Sequence, residues 1–514
     1  MNSESLPTRR TVIKGIAGSL AISALGESKM ATANPASISA SRLPRTSPES
    51  VGIESAGIQK FLEAVNTKVG GLHGFLLLRH GKVAAEGWWT PYAPQYPHML
   101  YSLSKSFTST AVGLAIEEGK FTLESPVTSF FPKELPSKVG ANLAAMRVEH
   151  LLMMSTGHDK DATGPTREDK DGDWVKGFLS LPVEHAPGSK FVYNSAATYL
   201  LSAIVQKTVG KTVLEYLTPR LLTPLGIEGA TWEVCPKGIN TGGWGLAIKT
   251  EDIAKFGQTY LQKGVWNGQR VIPATWIEKA TAKHISNGDP ANASDWSQGY
   301  GYQFWRCLHG NYRGDGAFGQ YCVVMPEQDA VLAITSGVGD MQAVLMAAWE
   351  HLLPAMKSEP FSTKPTVDLN KTIKALAVPV LEGKPTSSIA PRVSGKTFTF
   401  EENEGKVQSL TLTFSEERLA IKLRDARGEH KAEGHLGDWA KGKTTLIPGL
   451  DENTAIRGIW TSEDTLALQI CLYKTPYLMT FTLHFEEDKL TFARKYNVSF
   501  GSSTLPVLVG HSSA

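Results

Sequence analysis

The residues with the clearest chemical potential are Tyr101-Ser102-Leu103-Ser104-Lys105. A serine hydroxyl is a weak nucleophile until a base takes its proton. A lysine can be that base only if partial burial and a positive helix N-terminus lower its pKa. On a helix, a spacing of three puts Ser102 and Lys105 on one face, one turn apart. Taken alone, the pattern equally describes an N-cap serine followed by a solvated lysine. Two further segments change that balance. Pro187-Gly188-Ser189-Lys190-Phe191-Val192-Tyr193-Asn194-Ser195 introduces a helical pattern over 198–205, so Tyr193 sits on an extended approach from which a phenol can reach a cleft. Gly314-Asp315-Gly316-Ala317-Phe318-Gly319-Gln320 runs into an apolar strand over 321–325.

Other chemistries find no support. Gly314-x-Gly316-x-x-Gly319 formally matches a dinucleotide fingerprint, but it opens a strand where that motif must open a helix. No Gly-x-Ser-x-Gly elbow occurs. There is no His-Glu-x-x-His and no close Cys pair, so neither a metal nor any other cofactor is expected.

The elements that must position these residues follow from periodicity. Ile58, Phe61, Leu62 and Val65 share one helical face over 55–65. Phe75-Leu76-Leu77-Leu78, a turn at His80-Gly81, and 83–89 read as two strands. A helix is expected over 102–118, a short one over 253–261 and a strongly apolar one over 341–353, with strands at 300–308, 318–325 and 330–336. Helices at both ends of hairpin-linked strands predict an α+β domain: an antiparallel sheet flanked by helices, with 120–300 forming an all-helical lobe. Residues 358–390 read as a linker. Beyond them, period-two runs such as 410–414, 419–423 and 478–485 predict a separate C-terminal all-β sandwich or barrel over 391–514.

Ser102-x-x-Lys105, then Tyr193-Asn194-Ser195, then Gly314-Asp315-Gly316, in that order, resembles the serine β-lactamase and penicillin-binding-protein superfamily, including class C β-lactamases and family VIII carboxylesterases. The resemblance covers roughly residues 45–357. It implies a nucleophile at Ser102, base and proton-shuttle work shared by Lys105 and Tyr193, and an oxyanion hole from the backbone N–H groups of Ser102 and Ala317. Ser195 would bond Lys105 or substrate, and Gly314, Asp315 and Gly316 would line the substrate site. The family's Lys-Thr-Gly cation is missing: Gly314 stands in its place with Asp315 beside it. An acidic group there would repel a substrate carboxylate; Arg313 is adjacent and could compensate, but a neighbouring strand residue is expected to face the other way. The resemblance therefore favours neutral esters or amides over β-lactams and D-Ala termini. A β-lactamase, a D-aminopeptidase or DD-peptidase, and a binding or sensor protein that does not turn over remain the alternatives.

Composition sets the outer limits. The chain has 514 residues, 52 Lys plus Arg against 50 Asp plus Glu, and 4 Cys. This balance asks for no nucleic acid, and so few cysteines build no disulfide scaffold. Without a long uncharged apolar run, no stable membrane insertion is expected. Residues 1–33 carry Arg9-Arg10, a weakly apolar stretch and Ala31-Thr32-Ala33, resembling a twin-arginine signal. That implies a periplasmic or secreted protein that meets the twin-arginine machinery transiently. Cys307 and Cys322 flank a strand region and are a candidate pair after export.

Overall fold

A computed structural model describes residues 42–512, apart from 362–364, 366 and 450–452. The twin-arginine segment 1–33 lies outside the described residues.

The N-terminal part is built on a six-stranded, wholly antiparallel sheet. Its strands are β1 (Leu72–Arg79), β2 (Lys82–Trp88), β3 (Trp305–Arg306), β4 (Tyr312–Gly316), β5 (Gln320–Met325) and β6 (Ala330–Ser336), in the order β2-β1-β6-β5-β4-β3. His80 and Gly81 both have positive φ, 50° and 72°, as a two-residue hairpin turn that follows strand twist requires. Every residue of β1 is buried, which explains its unbroken apolar run. Alternation sends Leu76 and Leu78 to one face and Phe75 and Leu77 to the other. The helices α1 (Ser55–Ala64) and α5 (Met341–His351) cover the second face through Ile58, Phe61, Leu62, Val344, Leu345 and Ala348. The helices α2 (Ser104–Glu117), α3 (Ser195–Val209) and α4 (Thr250–Leu261) cover the first.

Three expectations are corrected. The region 120–300 is largely helical but not all-helical: Leu246–Ile248 pairs with His98–Met99 and Thr231–Trp232, and Val265–Trp266 pairs with Gln269–Arg270. Strands of two or three residues are too short to show alternation. The strand read over 300–308 shrinks to two residues, and the sheet is continued by β4, which contains Gly314-Asp315-Gly316. Cys307 and Cys322 are unpaired and buried. The Cys307 Sγ accepts from Arg313 Nη1 at 3.1 Å, and the Cys322 thiol faces Ile253 O at 3.6 Å.

The C-terminal part is a β-barrel. Ten antiparallel strands run from Thr397 to Ser512, and nine close on themselves where Gly428–Leu436 meets Asn453–Trp460 through a short parallel pairing, His435 opposite Arg457 and Leu436 opposite Gly458. Alternating residues such as Leu419, Ile421, Leu468, Ile470, Phe481 and Leu483 fill the interior. Trp460 belongs to this core and Trp439 lies against Arg457. Residues 369–379 strap the two parts together: Val378 N donates to Thr90 O, and Arg457 donates to the carbonyls of Val378 and Pro379.

Helix α2 is buried on nearly all sides, and Gly113 makes that possible. A Cβ there would lie 2.2 Å from the Trp276 ring. We predict that Gly113→Ala costs about 1–3 kcal/mol of stability through overpacking, seen as a lower melting temperature. An unchanged melting curve would mean that the ring has room to move.

Candidate active site

Ser102 sits in a 3-10 turn, Tyr101–Leu103, that runs directly into α2. In 3-10 geometry side chains at i and i+3 eclipse. Lys105 Nζ accordingly lies 2.8 Å from Ser102 Oγ. The helix is held from the side by its own buried hydroxyls. Ser106 and Ser109 donate to the carbonyls of Gln303 and Tyr302, Thr108 donates to Gly242 O, and Ser104 Oγ accepts from Leu246 N. These bonds fix the loops that approach Lys105.

Lys105 is 1% exposed. Besides Ser102 it reaches Ser195 Oγ at 3.0 Å and Gly243 O at 2.7 Å. Burial pushes its pKa down to about 7, against the pull of Asp161 and Asp315 in the other direction. A neutral amine has two N–H bonds and one lone pair. Gly243 O can only accept and Ser195 Oγ is free to accept, so the lone pair is left for the Ser102 hydroxyl.

Tyr193 arrives on the extended segment before α3, whose N-cap is Asn194: its Oδ1 accepts from Ala196 N at 3.1 Å. The Tyr193 ring stacks on Trp305 at 5.4 Å and lies 4.8 Å from Lys105 Nζ. Burial, reinforced by Asp315, raises the phenol pKa well above its ordinary value, while a hydrogen bond with Ser102 acts the other way. At neutral pH the phenol keeps its proton.

Strand β4 forms the opposing edge. Gly314 faces α2, where a Cβ would lie 2.5 Å from Ser106 Oγ, and a Cβ on Gly316 would lie 1.9 Å from Leu100 O. The position that aligns with the family's cation thus has no room for a side chain. Arg313 and Asp315 are two residues apart and share a face. Arg313 Nε donates to Asp315 Oδ2 at 2.7 Å, with both side chains buried. The expectation that Arg313 faces the wrong way to compensate Asp315 is corrected: it faces away from Gly314, and alternation over two residues brings it to Asp315. Burial raises the Asp315 carboxyl pKa, and the Arg313 partner opposes that rise. Ala317 and Ser102 line the same cavity of about 570 Å³, together with Tyr193, Ser195 and Asp315.

Several lining groups escaped sequence reasoning. The Gly243 carbonyl belongs to a Gly-rich turn, Thr241-Gly242-Gly243-Trp244-Gly245, that offered only its composition as a signal. Asp161, Arg167, Trp244, Trp296 and Trp305 also line the cavity. Asp161 Oδ1 accepts from Ser195 N at 3.1 Å. The exposed Arg167 guanidinium lies over Trp174 and Trp244. Nearby residues with chemical side chains stay outside the site: His158 bonds Thr156, Asp159 pairs with His185, and Trp89 and Tyr92 are core residues. Among the described residues no group of three or more His, Cys, Asp or Glu is placed to hold a metal ion.

Fold and site together define a serine hydrolase of the Ser-x-x-Lys class. The chain belongs to the Beta-lactamase family, whose model matches residues 64–353. It is 30% identical over 286 residues to the 6-aminohexanoate-dimer hydrolase of Paenarthrobacter ureafaciens, covering 52% of this chain and 72% of that protein. A Beta-lactamase of Escherichia coli K12 is 23% identical over 226 residues, covering 40% of this chain and 58% of its own length. A crystal structure of a candidate beta-lactamase from Bacteroides dorei shares the fold with TM-score 0.50 and 14% identity, over 58% of this chain and 99% of its own.

The electrostatics predict the pH profile. Lys105 must lose its proton to act as a base, so kcat/KM falls as pH drops through about 7. Asp161 carries part of the opposing pull, and its exposed carboxylate can be neutralised with its cap geometry retained. Asp161→Asn is expected to shift the acidic limb to lower pH by about half a unit, the size of one screened Coulomb interaction. A limb that stays in place, or moves to higher pH, would contradict this assignment.

Proposed function

We propose that the protein cleaves small neutral esters or amides through an acyl-enzyme on Ser102. The observation that carries this reading is the buried Lys105 amine, held 2.8 Å from the Ser102 hydroxyl and 2.7 Å from Gly243 O. In this mechanism Lys105 takes the Ser102 proton as Oγ attacks the substrate carbonyl carbon. The N–H groups of Ser102 and Ala317 stabilise the oxyanion, a contribution of several kcal/mol in such sites, roughly 3–4 per donor. Tyr193 gives its proton to the leaving oxygen or nitrogen and is reprotonated from Lys105. Water then attacks the acyl carbon as Lys105 takes one of its protons; the acyl–Oγ bond breaks, Lys105 passes that proton to Ser102 Oγ, and the acid leaves. The high pKa of Tyr193 favours Lys105 as the first base.

Two features favour neutral substrates over β-lactams. Gly314 has no room for the family's cation, and the Arg313 charge is spent on Asp315. A narrower reading, a linear amide with an ammonium and a carboxylate end, is favoured by Asp161 and Arg167, exposed groups of opposite charge that both line the cavity. The relative named for 6-aminohexanoate dimer is consistent with it. Export by the twin-arginine route is also proposed, on Arg9-Arg10 and Ala31-Thr32-Ala33.

A panel of p-nitrophenyl esters, 6-aminohexanoate dimer, nitrocefin and a D-Ala-D-Ala peptide tests the reading. The expected result is ester or amide turnover well above nitrocefin turnover. Ser102→Ala should lose at least about 10³-fold in kcat and all labelling by a fluorophosphonate. Comparable nitrocefin and ester turnover would overturn the preference. Labelling of Ser102 without multiple turnover would favour a sensor.

A further inference from the structure

One wall of the reaction cavity comes from the barrel. Phe500 lines it, alongside Ser102 and Ala317, although more than 100 residues, the whole strap among them, separate Phe500 from α5. The ring is 74% exposed, the most exposed of the large hydrophobic side chains among the described residues. An aromatic ring left in water at the mouth of a catalytic cavity is a surface that a ligand can cover.

The ring is nevertheless held in place. It packs edge-on against Tyr101 at 5.5 Å and tilted against Phe318 at 4.8 Å. These two residues flank the Ser102 and Ala317 N–H groups, and both have positive φ, 47° and 66°. The Tyr477 hydroxyl bonds the Tyr101 hydroxyl, and its ring packs against Phe318 at 5.8 Å. Asn497 fixes the base of the loop that bears Phe500. Its Nδ2 donates to Gly337 O in the N-terminal part and to Pro476 O in the barrel, both at 2.9 Å, and its Oδ1 accepts from Leu478 N at 2.8 Å. Gly337 is needed for this approach, since a Cβ there would lie 2.1 Å from Pro476 O.

We propose that Phe500 is a specificity-determining residue that contacts the acyl chain of the substrate, so that the barrel is a working part of the active site. The inference rests on the ester and amide reading above. In that mechanism the leaving group must reach the Tyr193 hydroxyl, and Tyr193 stacks on Trp305. The leaving group therefore occupies the Trp305 side. The acyl chain is left with the side bounded by Tyr101 and Phe500, next to the oxyanion donors.

The test is a p-nitrophenyl ester series, acetate to octanoate, assayed on the full chain with wild type, Phe500→Ala and Phe500→Leu. For Phe500→Ala, kcat/KM for hexanoate should fall about ten-fold through KM, while acetate changes by less than about two-fold, because only the longer chain buries apolar surface on the ring. Phe500→Leu should retain most of the hexanoate activity, and neither variant should shift the melting temperature of so exposed a position. An unchanged chain-length profile, or an equal loss on every ester, would overturn the proposal while leaving the hydrolase reading intact. A wild-type protein inert to the whole series would overturn the ester reading and this inference with it.

Discussion

Everything in the site depends on keeping one amine out of water. An ammonium loses much of its stabilisation when desolvated, so a buried lysine sheds its proton near neutrality instead of carrying charge into the core. Lys105 is in that position. Its two acceptors, Ser195 Oγ and Gly243 O, leave one direction for the lone pair, and Ser102 lies in it. The same burial that depresses the amine raises the Tyr193 phenol, so two neighbouring groups respond oppositely to one environment, as the proposed base and acid require.

The rest of the fold can be understood as the means of holding that arrangement. Helix α2 carries an unusual load of buried hydroxyls, and each one described is bonded to a loop carbonyl, a strand amide or a facing hydroxyl. Such bonds contribute modestly to net stability, but a buried hydroxyl left unpaired is costly, so the loops have few alternative positions. Gly314 and Gly316 let β4 approach α2 more closely than any side chain would allow. The pair Arg313–Asp315 puts two opposite charges at the cavity wall, with Asp315 lining it and Arg313 bonded to Asp315. Burying such a pair does not add obvious stability; it does place a negative group whose field raises the pKa of both Lys105 and Tyr193.

Much of this was legible in the sequence, for physical reasons that differ by element. Ser102 and Lys105 are local partners, so spacing alone brings them together. Tyr193 follows from a motif whose order along the chain reflects the order of the elements. The sheet and the barrel strands announce themselves by alternation. What was not legible depends on long-range closure. The barrel is closed by only two parallel pairs, the Gly243 carbonyl has no side chain to mark it, and Phe500 reaches the cavity from a domain read as separate. Arg313 was the instructive case: alternation was used to discount it as a partner for Asp315, but the two are two residues apart, and alternation puts them on one face.

The central claim is that Lys105 is uncharged at working pH. Lysine labelled with ¹³C at Cε, followed by NMR from pH 5 to 11 and assigned with Lys105→Arg, tests it directly. The account predicts one resonance titrating near 7, apart from the bulk of lysines near about 10.4. A Lys105 signal that titrates with the surface lysines would contradict it.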